Sequence, residues 1–270
     1  MKNYEELDFT DDFLFCKIMT MNEDICIELT ELITGRKISR IVRPESQKTV
    51  QVSPDGKGVR FDVYFTDQSD VIYDIEMQTV KTSNLPKHSR YYQGMIDLNS
   101  IRPGEDYNRL TESFVIFICP FDAFGRGLHR YSFEYLCIQD SRIGLGDGAK
   151  KVFLCAGGDA DDVSAELSSF LDFISGRNAS GALVDRLREE VEKARKHDEW
   201  KVEYMTLEMK YFEKLEEGRL KGLEEGRQEG RRETLTALVK SNLLSKTDAA
   251  AAAGVSEQEF ETWLEAVKEN

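Results

Sequence analysis

The period of apolar and polar positions changes along this chain, and each change marks an element. Phe13 to Met21 is an apolar segment behind Thr10-Asp11-Asp12, and Ile25, Cys26, Leu29, Leu32 and Ile33 recur at helical spacing behind Asn22. Two helices are expected, capped by Thr10 or Asp11 and by Asn22, with Gly35 ending the second. The period then shortens. Gln47 to Val52 reads as a strand before the turn formers Pro54-Asp55-Gly56. Arg60 to Thr66 is aromatic and β-branched, Asp67-Gln68-Ser69-Asp70 supplies a turn, and Val71 to Gln78 resumes the alternation, which predicts a β-hairpin.

Side chains alternate across a strand, so Val71, Tyr73, Ile75 and Met77 form a core face while Ile72, Asp74, Glu76 and Gln78 share the other. On the first strand Asp62 and Tyr64 point opposite to Phe61, Val63 and Phe65, leaving Asp62 as the lone acid at its centre. Pairing that sets Asp62 beside Glu76 brings two carboxylates together, and such a pair repels itself unless a proton or a cation lies between. Hard divalent cations take carboxylate oxygens together with substrate phosphate, so a metal-dependent phosphodiester site is one reading. A hairpin with one wet, acidic face is the other. Alternation by itself leaves both open.

Downstream, Pro86 opens a helix with Tyr91, Met95 and Leu98 on one side and a polar stripe of Arg90, Gln93 and Asp97. Phe114 to Cys119 is a continuous apolar run stopped by Pro120, the mark of a strand covered on both faces. Further strands are expected at Tyr131 to Ile138 and Val152 to Cys155. The glycine-rich segment Gly144 to Gly148 lacks G-x-G-x-x-G spacing and precedes a strand, so it reads as a surface loop. Asp162 or Ser164 caps a helix reaching Ile174, and residues 175–181 read as a linker.

From Leu183 to Arg232 the chain is proline-free and highly charged at helical spacing, with Gly218, Gly222, Gly226 and Gly230 at every fourth position. Each glycine costs a helix about 1 kcal/mol against alanine, more than exposed ion pairs of a few tenths restore. Either a second helix lies along that ridge, giving a homo-oligomer, or the segment is a frayed connector. The tail reads as two or three short helices, with a turn at Gly254 and a capping box at Ser256 to Glu259 leading into Phe260, Trp263 and Leu264. Its A-A-G-V-S turn is similar to a helix-turn-helix, but Glu257, Glu259, Glu261 and Glu265 on the following helix disfavour base reading, so a small packing or protein-contact module is expected. Three segments follow: 1–176, 182–233 and 234–270.

Composition adjusts this picture in three ways. A hydrophobic fraction of 40% over 270 residues sustains a core, and no run approaches the roughly 18 apolar residues of a membrane span. With an N-terminus lacking signal-peptide features, a cytoplasmic protein without membrane contact is expected. Five cysteines, Cys16, Cys26, Cys119, Cys137 and Cys155, lack C-x-x-C spacing and read as buried thiols, while His88, His129 and His197 are too scattered for a histidine metal site. A net charge of −14 disfavours a broad grip on nucleic acid, leaving local bases: Arg36, Lys37, Arg40 and Arg43 before the hairpin, and Lys81, Lys87, His88 and Arg90 after it.

The spacing of Asp62 and then Glu76-Met77-Gln78 resembles the PD-(D/E)xK nuclease signature. The segments RFDVYF, IYDIEMQ, SRYYQGM and FVIFICPFDAFG, within residues 8–175, resemble the Rpn family of recombination-promoting nucleases. Two departures stand out: Phe61 replaces the signature's proline and Gln78 its lysine, although this branch commonly carries glutamine there. The resemblance implies an α/β, restriction-endonuclease-like fold, with a mixed central sheet flanked by helices, here followed by a C-terminal helical extension. It implies a DNA endonuclease using Mg²⁺, with Mn²⁺ or Ca²⁺ able to substitute. Asp62 and Glu76 would hold the ion, Asp12 from the first helix would assist, and Gln78 would orient the attacking water without supplying the charge that lysine brings. Lys87 and Arg90 are candidate phosphate contacts, Arg90 being equally open to a structural role beside a carboxylate. Asp74 shares the face of Glu76 but is displaced along the strand and is expected to stand apart from the ion. The competing expectation is a catalytically inactive nuclease-fold protein serving as an oligomeric interaction or regulatory module.

Overall fold

The apolar runs before residue 175 fold into one mixed sheet and the helices that cover it. The computed structural model describes residues 2–42, 45–50 and 58–266. Two helices come first, α1 (Asp12–Met21) and α2 (Glu23–Thr34), the latter closed by Gly35 at φ 71°. Then follow β1 (Glu45–Val50), β2 (Val59–Thr66), β3 (Ile72–Met77), α3 (Leu85–Ser100), β4 (Ser113–Cys119), β5 (Arg130–Phe133) and β6 (Ala149–Cys155). The sheet order is β1-β2-β3-β4-β6-β5. The first three strands form an antiparallel meander, β3, β4 and β6 run parallel, and β5 is antiparallel to β6. This is the expected restriction-endonuclease-like α/β arrangement. Arg43 and the turn at Pro54-Asp55-Gly56 lie outside the described residues.

The β2–β3 turn forms because Asp67 accepts the amides of Ser69 (2.8 Å) and Val71 (3.1 Å) and the Tyr73 hydroxyl (3.1 Å), while Asp70 takes a left-handed φ of 60°. Beyond it, β3 departs from the expected wet and dry faces: Ile72, Asp74 and Glu76 are buried as well as Tyr73 and Ile75. The cause is topology. With β2 on one side and β4 on the other, β3 is an interior strand of a sheet covered on both faces. On one face Phe65, Tyr73 and Phe114 stack, with centroids 4.9 and 5.4 Å apart. On the other, Phe117 stacks on Phe153 at 5.4 Å and meets Tyr92 of α3 at 6.1 Å.

Two further expectations are corrected. α3 buries Leu85, Tyr92, Met95 and Ile96 in the apolar cluster under the sheet, with Ser89 and Gln93 between them, and leaves Tyr91 and Leu98 exposed; the Gln93 amide donates to Ser113 Oγ at 2.8 Å and to half-buried Asp97 at 3.0 Å. β5 stops at Phe133, after which only an isolated bridge, Leu136 to Gly144, continues the run predicted to Ile138. Phe117 is fully buried among rings, so Phe117→Ala is expected to lower unfolding free energy by about 3–5 kcal/mol, read as a urea-midpoint shift at unchanged slope.

After β6 come α4 (Ala165–Ile174), whose Ser164 cap accepts the Leu167 amide, and α5 (Ala182–Arg195). Composition placed the boundary in residues 177–181. The first compact unit instead reaches Lys201, because Leu183, Val184, Leu187 and Val191 of α5 are buried and α5 packs on α1 and α4. The expected single charged stretch is thus two helices, α5 and the longer α6 (Asp198–Lys240). In the second unit the end of α6, α7 (Lys246–Ala253) and α8 (Glu257–Ala266) share a small core of Leu235, Ala249, Ala250 and Phe260, with Gly254 at φ 77° and Ser256 Oγ accepting the Glu259 amide. Among the described residues no helix is long and apolar enough to cross a membrane. The five cysteines are free, four of them buried.

Candidate metal centre

Regular pairing between β2 and β3 runs from Thr66↔Ile72 to Val63↔Ile75. The next opposed positions are Asp62 and Glu76, and there side chains replace the backbone ladder. The Asp62 amide donates to Glu76 Oε1 at 2.8 Å, and the Met77 amide donates to Asp62 Oδ2 at 3.2 Å. Each acid therefore satisfies an amide of the opposite strand, which fixes both carboxylates across the same gap. Strict alternation also fails here: Phe61 and Tyr64, predicted on opposite faces, lie in one cluster with rings 5.3 Å apart.

The acids are deeply set, with Asp62 8%, Glu76 7% and Asp74 0% exposed. Burial, then the charges of Glu76 and Asp12, push the Asp62 carboxyl up to about 9. Burial likewise holds Glu76 and Asp74 well above the ordinary carboxylate range, with Asp74 adding to the effect on Glu76 and Asp62 to that on Asp74. Neither oxygen of Asp74 receives a hydrogen bond. Tyr92 reaches in from α3: its hydroxyl donates to the Arg60 carbonyl at 3.3 Å, and burial followed by the charge of Glu76 raises its phenol strongly. A cavity of about 270 Å³ opens over Asp62 and Glu76, bordered by Arg60, His88, Tyr91 and Tyr92.

Asp12 opens α1 and ion-pairs with Arg60 at 2.5 Å. Ligand atoms of Asp12, Cys16 and Asp62 lie within 4.8 Å of one another. Burial first, then Asp62 and Asp12, drive the Cys16 thiol far up, so it stays a neutral sulfur unsuited to a hard cation. The remaining donors of that group, Asp12 and Asp62, are carboxylates, which suit a hard divalent ion, whereas Glu76 and Asp74 do not belong to it. Gln78 is placed otherwise: its amide donates to the Val80 carbonyl at 2.5 Å, and it does not border the cavity. Lys87 and Arg90 are exposed on α3, where Arg90 lines a different hollow with Phe124, Phe133 and Lys151. Arg36 and Lys37 are held by Glu112 (2.5 Å) and Glu31 (2.7 Å).

Sequence reasoning missed Arg60, Tyr92 and the depth of Asp74, and read His88 as one of the local bases after the hairpin without placing it over the acids. His88 and Tyr92 are four residues apart on α3 with rings 4.3 Å apart, a helical spacing that was legible; which side of α3 meets the acids was not. Searches of curated proteins and of solved structures found no match. Residues 8–139 match the family described as PD-(D/E)XK nuclease family transposase, a span that runs from before α1 past β5 and contains Asp12, Asp62 and Glu76. By that match, residues 8–139 of the chain belong with the PD-(D/E)XK nuclease family transposases.

Proposed function

We propose that the chain is a divalent-cation-dependent DNA endonuclease that hydrolyses phosphodiester bonds, in the service of recombination or mobile elements. The observation that carries this reading is the reciprocal anchoring of Asp62 and Glu76 at the end of the β2–β3 ladder, beneath a cavity bordered by Arg60 and His88. Asp62 and Glu76 hold Mg²⁺, with Mn²⁺ or Ca²⁺ as substitutes, and Asp12 assists from α1. The bound ion supplies Lewis-acid charge at the scissile phosphate. Arg60, which lines the cavity and pairs with Asp12, would offer its guanidinium to the phosphate. Gln78 orients the attacking water once its amide leaves the Val80 carbonyl, and Lys87 and Arg90 touch neighbouring phosphates of the DNA. Plasmid nicking with and without chelator tests this: wild type nicks only with the cation, while Asp62→Ala and Glu76→Ala do not. Equal nicking by all three overturns the assignment.

One observation favours a second reading, a nuclease-fold protein that binds the ion without cutting: Gln78 is engaged with Val80 and brings no charge. Cation binding without cation-dependent nicking would select it.

Self-association through α6 belongs to the same proposal. Gly218, Gly222, Gly226 and Gly230 form one stripe with open space in front of each, and Met205, Met209 and Phe212 are about 60% exposed. A second copy of α6 lying on the stripe offsets the helix cost of four glycines. Replacing Gly222 and Gly226 together by Gln favours the helix but blocks close approach, so light scattering should show a fall in oligomer mass. An undiminished mass sinks the ridge.

A further inference from the structure

β5 closes the sheet on one margin, and the chain there turns aromatic rings toward solvent: Phe133 is 44% and Tyr135 52% exposed. In the antiparallel β5–β6 ladder Phe133 stands opposite Lys151 and Tyr131 opposite Phe153, so Phe133, Lys151 and Phe153 share one side of the sheet. Phe124 lies beneath, its ring 5.1 Å from those of both Phe133 and Phe153. Together with Tyr135 and with Arg90 of α3, these residues line an open hollow of about 290 Å³. We infer that this hollow is a subsite for one unpaired nucleotide of the DNA, which rests on the reading of the chain as a nuclease. The base lies against the rings of Phe133 and Tyr135, and its phosphate meets Arg90 and Lys151.

Exposed rings beside cations suit single-stranded nucleic acid, because bases stack on aromatic faces whatever their sequence while Arg and Lys meet the backbone. Lys151 Nζ already lies over the Tyr135 ring, 5.4 Å from its centroid, and among the described residues no carboxylate ion-pairs with it or with Arg90. Nearby cations are neutralised instead, since Arg36 and Lys150 both close on Glu112. Glu134, the acid of the lining, opposes a second phosphate and offers an acceptor to the exocyclic amino group of a base. Position ties the hollow to the acids. His88, Tyr91 and Tyr92 of α3 border the cavity over Asp62 and Glu76, while Pro86, Ser89 and Arg90 border this one. One helix, about 10 Å across, separates the two, so a strand cut at the first can cross α3 to the second. A base inside a duplex keeps its faces stacked and away from the rings, so the nucleotide held here is unpaired or turned out of the helix.

The test is fluorescence anisotropy of the full chain in chelator, with a labelled oligodeoxycytidylate as single strand and the duplex with its complement as control. Phe133→Leu combined with Tyr135→Leu keeps apolar bulk and removes both ring faces; if that protein does not fold, Tyr135→Leu alone, at an exposed position beyond β5, takes its place. The expected result is a single-strand affinity at least about tenfold weaker than wild type, with duplex affinity little changed. Equal loss on both forms, or no loss on either, overturns the inference. A wild type that binds no single strand overturns it as well and leaves the rings to a protein partner. Because binding is read without the cation, these outcomes do not touch the nicking comparison of Asp62→Ala and Glu76→Ala, and a chain that never nicks still gives an answer here.

Discussion

Asp62→Asn is expected to lower cation-dependent nicking by about 10³-fold or more, and in chelator to raise the melting temperature. The two effects come from one cause. Loss of a ligand carboxylate removes the several kcal/mol that a well-held cation contributes at the phosphate, and each 1.36 kcal/mol is tenfold in rate. In the cation-free protein the same carboxylate is a liability, because it is 8% exposed and faces Glu76 and Asp12. Asparagine keeps an oxygen that can accept the Met77 amide, now at 3.2 Å from Asp62 Oδ2, so the strand end stays tied while the repulsion goes. Activity loss together with a stability gain is the signature of a functional acid held at structural cost. A variant less stable than wild type in chelator would mark Asp62 as a structural partner, and retained nicking would remove it from the site.

The parts of this design that could be read from the chain are those fixed by local chemistry. The turn at Asp67 to Asp70, the left-handed Gly35, the Ser164 cap and the opposition of Asp62 and Glu76 all follow from short-range propensities and from counting along a hairpin. What escaped depends on neighbours far along the chain. Alternation described β3 as half-wetted because nothing in Val71 to Gln78 tells that β4 will pair with it in parallel and that α3 will close the other face. The depth of Asp74 escaped for the same reason: a position that would be wet on a two-stranded hairpin becomes fully buried in a six-stranded sheet. On α3 the buried stripe is Leu85, Tyr92, Met95 and Ile96, with Gln93 among them, rather than the side of Tyr91 and Leu98, and Ser113 offers Gln93 a buried partner that only the fold brings near. The break between α5 and α6 was hidden by their shared charge pattern. Burial of Leu183, Leu187 and Val191, rather than composition, decides that α5 belongs to the nuclease unit.

In chelator the protein should be most stable near pH 4–5 and lose stability steadily toward pH 9. Asp62, Glu76 and Asp74 all have carboxyls raised in the folded state, Asp62 to about 9. Above about pH 4 the unfolded chain gives up these protons while the folded protein keeps them, so the folded state binds more protons. Stability then falls as pH rises, by up to about 1.4 kcal/mol per unit for each such acid, and the contribution of Asp62 is fully lost once pH passes its folded value. Acids shifted the other way, such as Asp122, lowered to about 2 chiefly by the Gly127 and Phe124 amides working against burial, add stability that disappears only at pH below 4. They set the acid limb and leave the window from 5 to 9 to the buried acids. A divalent cation competes with those protons, so its affinity should climb over the same window and flatten or reverse the decline. Urea midpoints at pH 5, 7 and 8.5, in chelator and in Mg²⁺, read both limbs at once. If stability in chelator is level or rising between pH 5 and 8.5, the acids are not held protonated, and the case for an ion resting among them loses its electrostatic ground. If it falls in chelator but falls equally in Mg²⁺, the acids are strained for some purpose other than holding a cation.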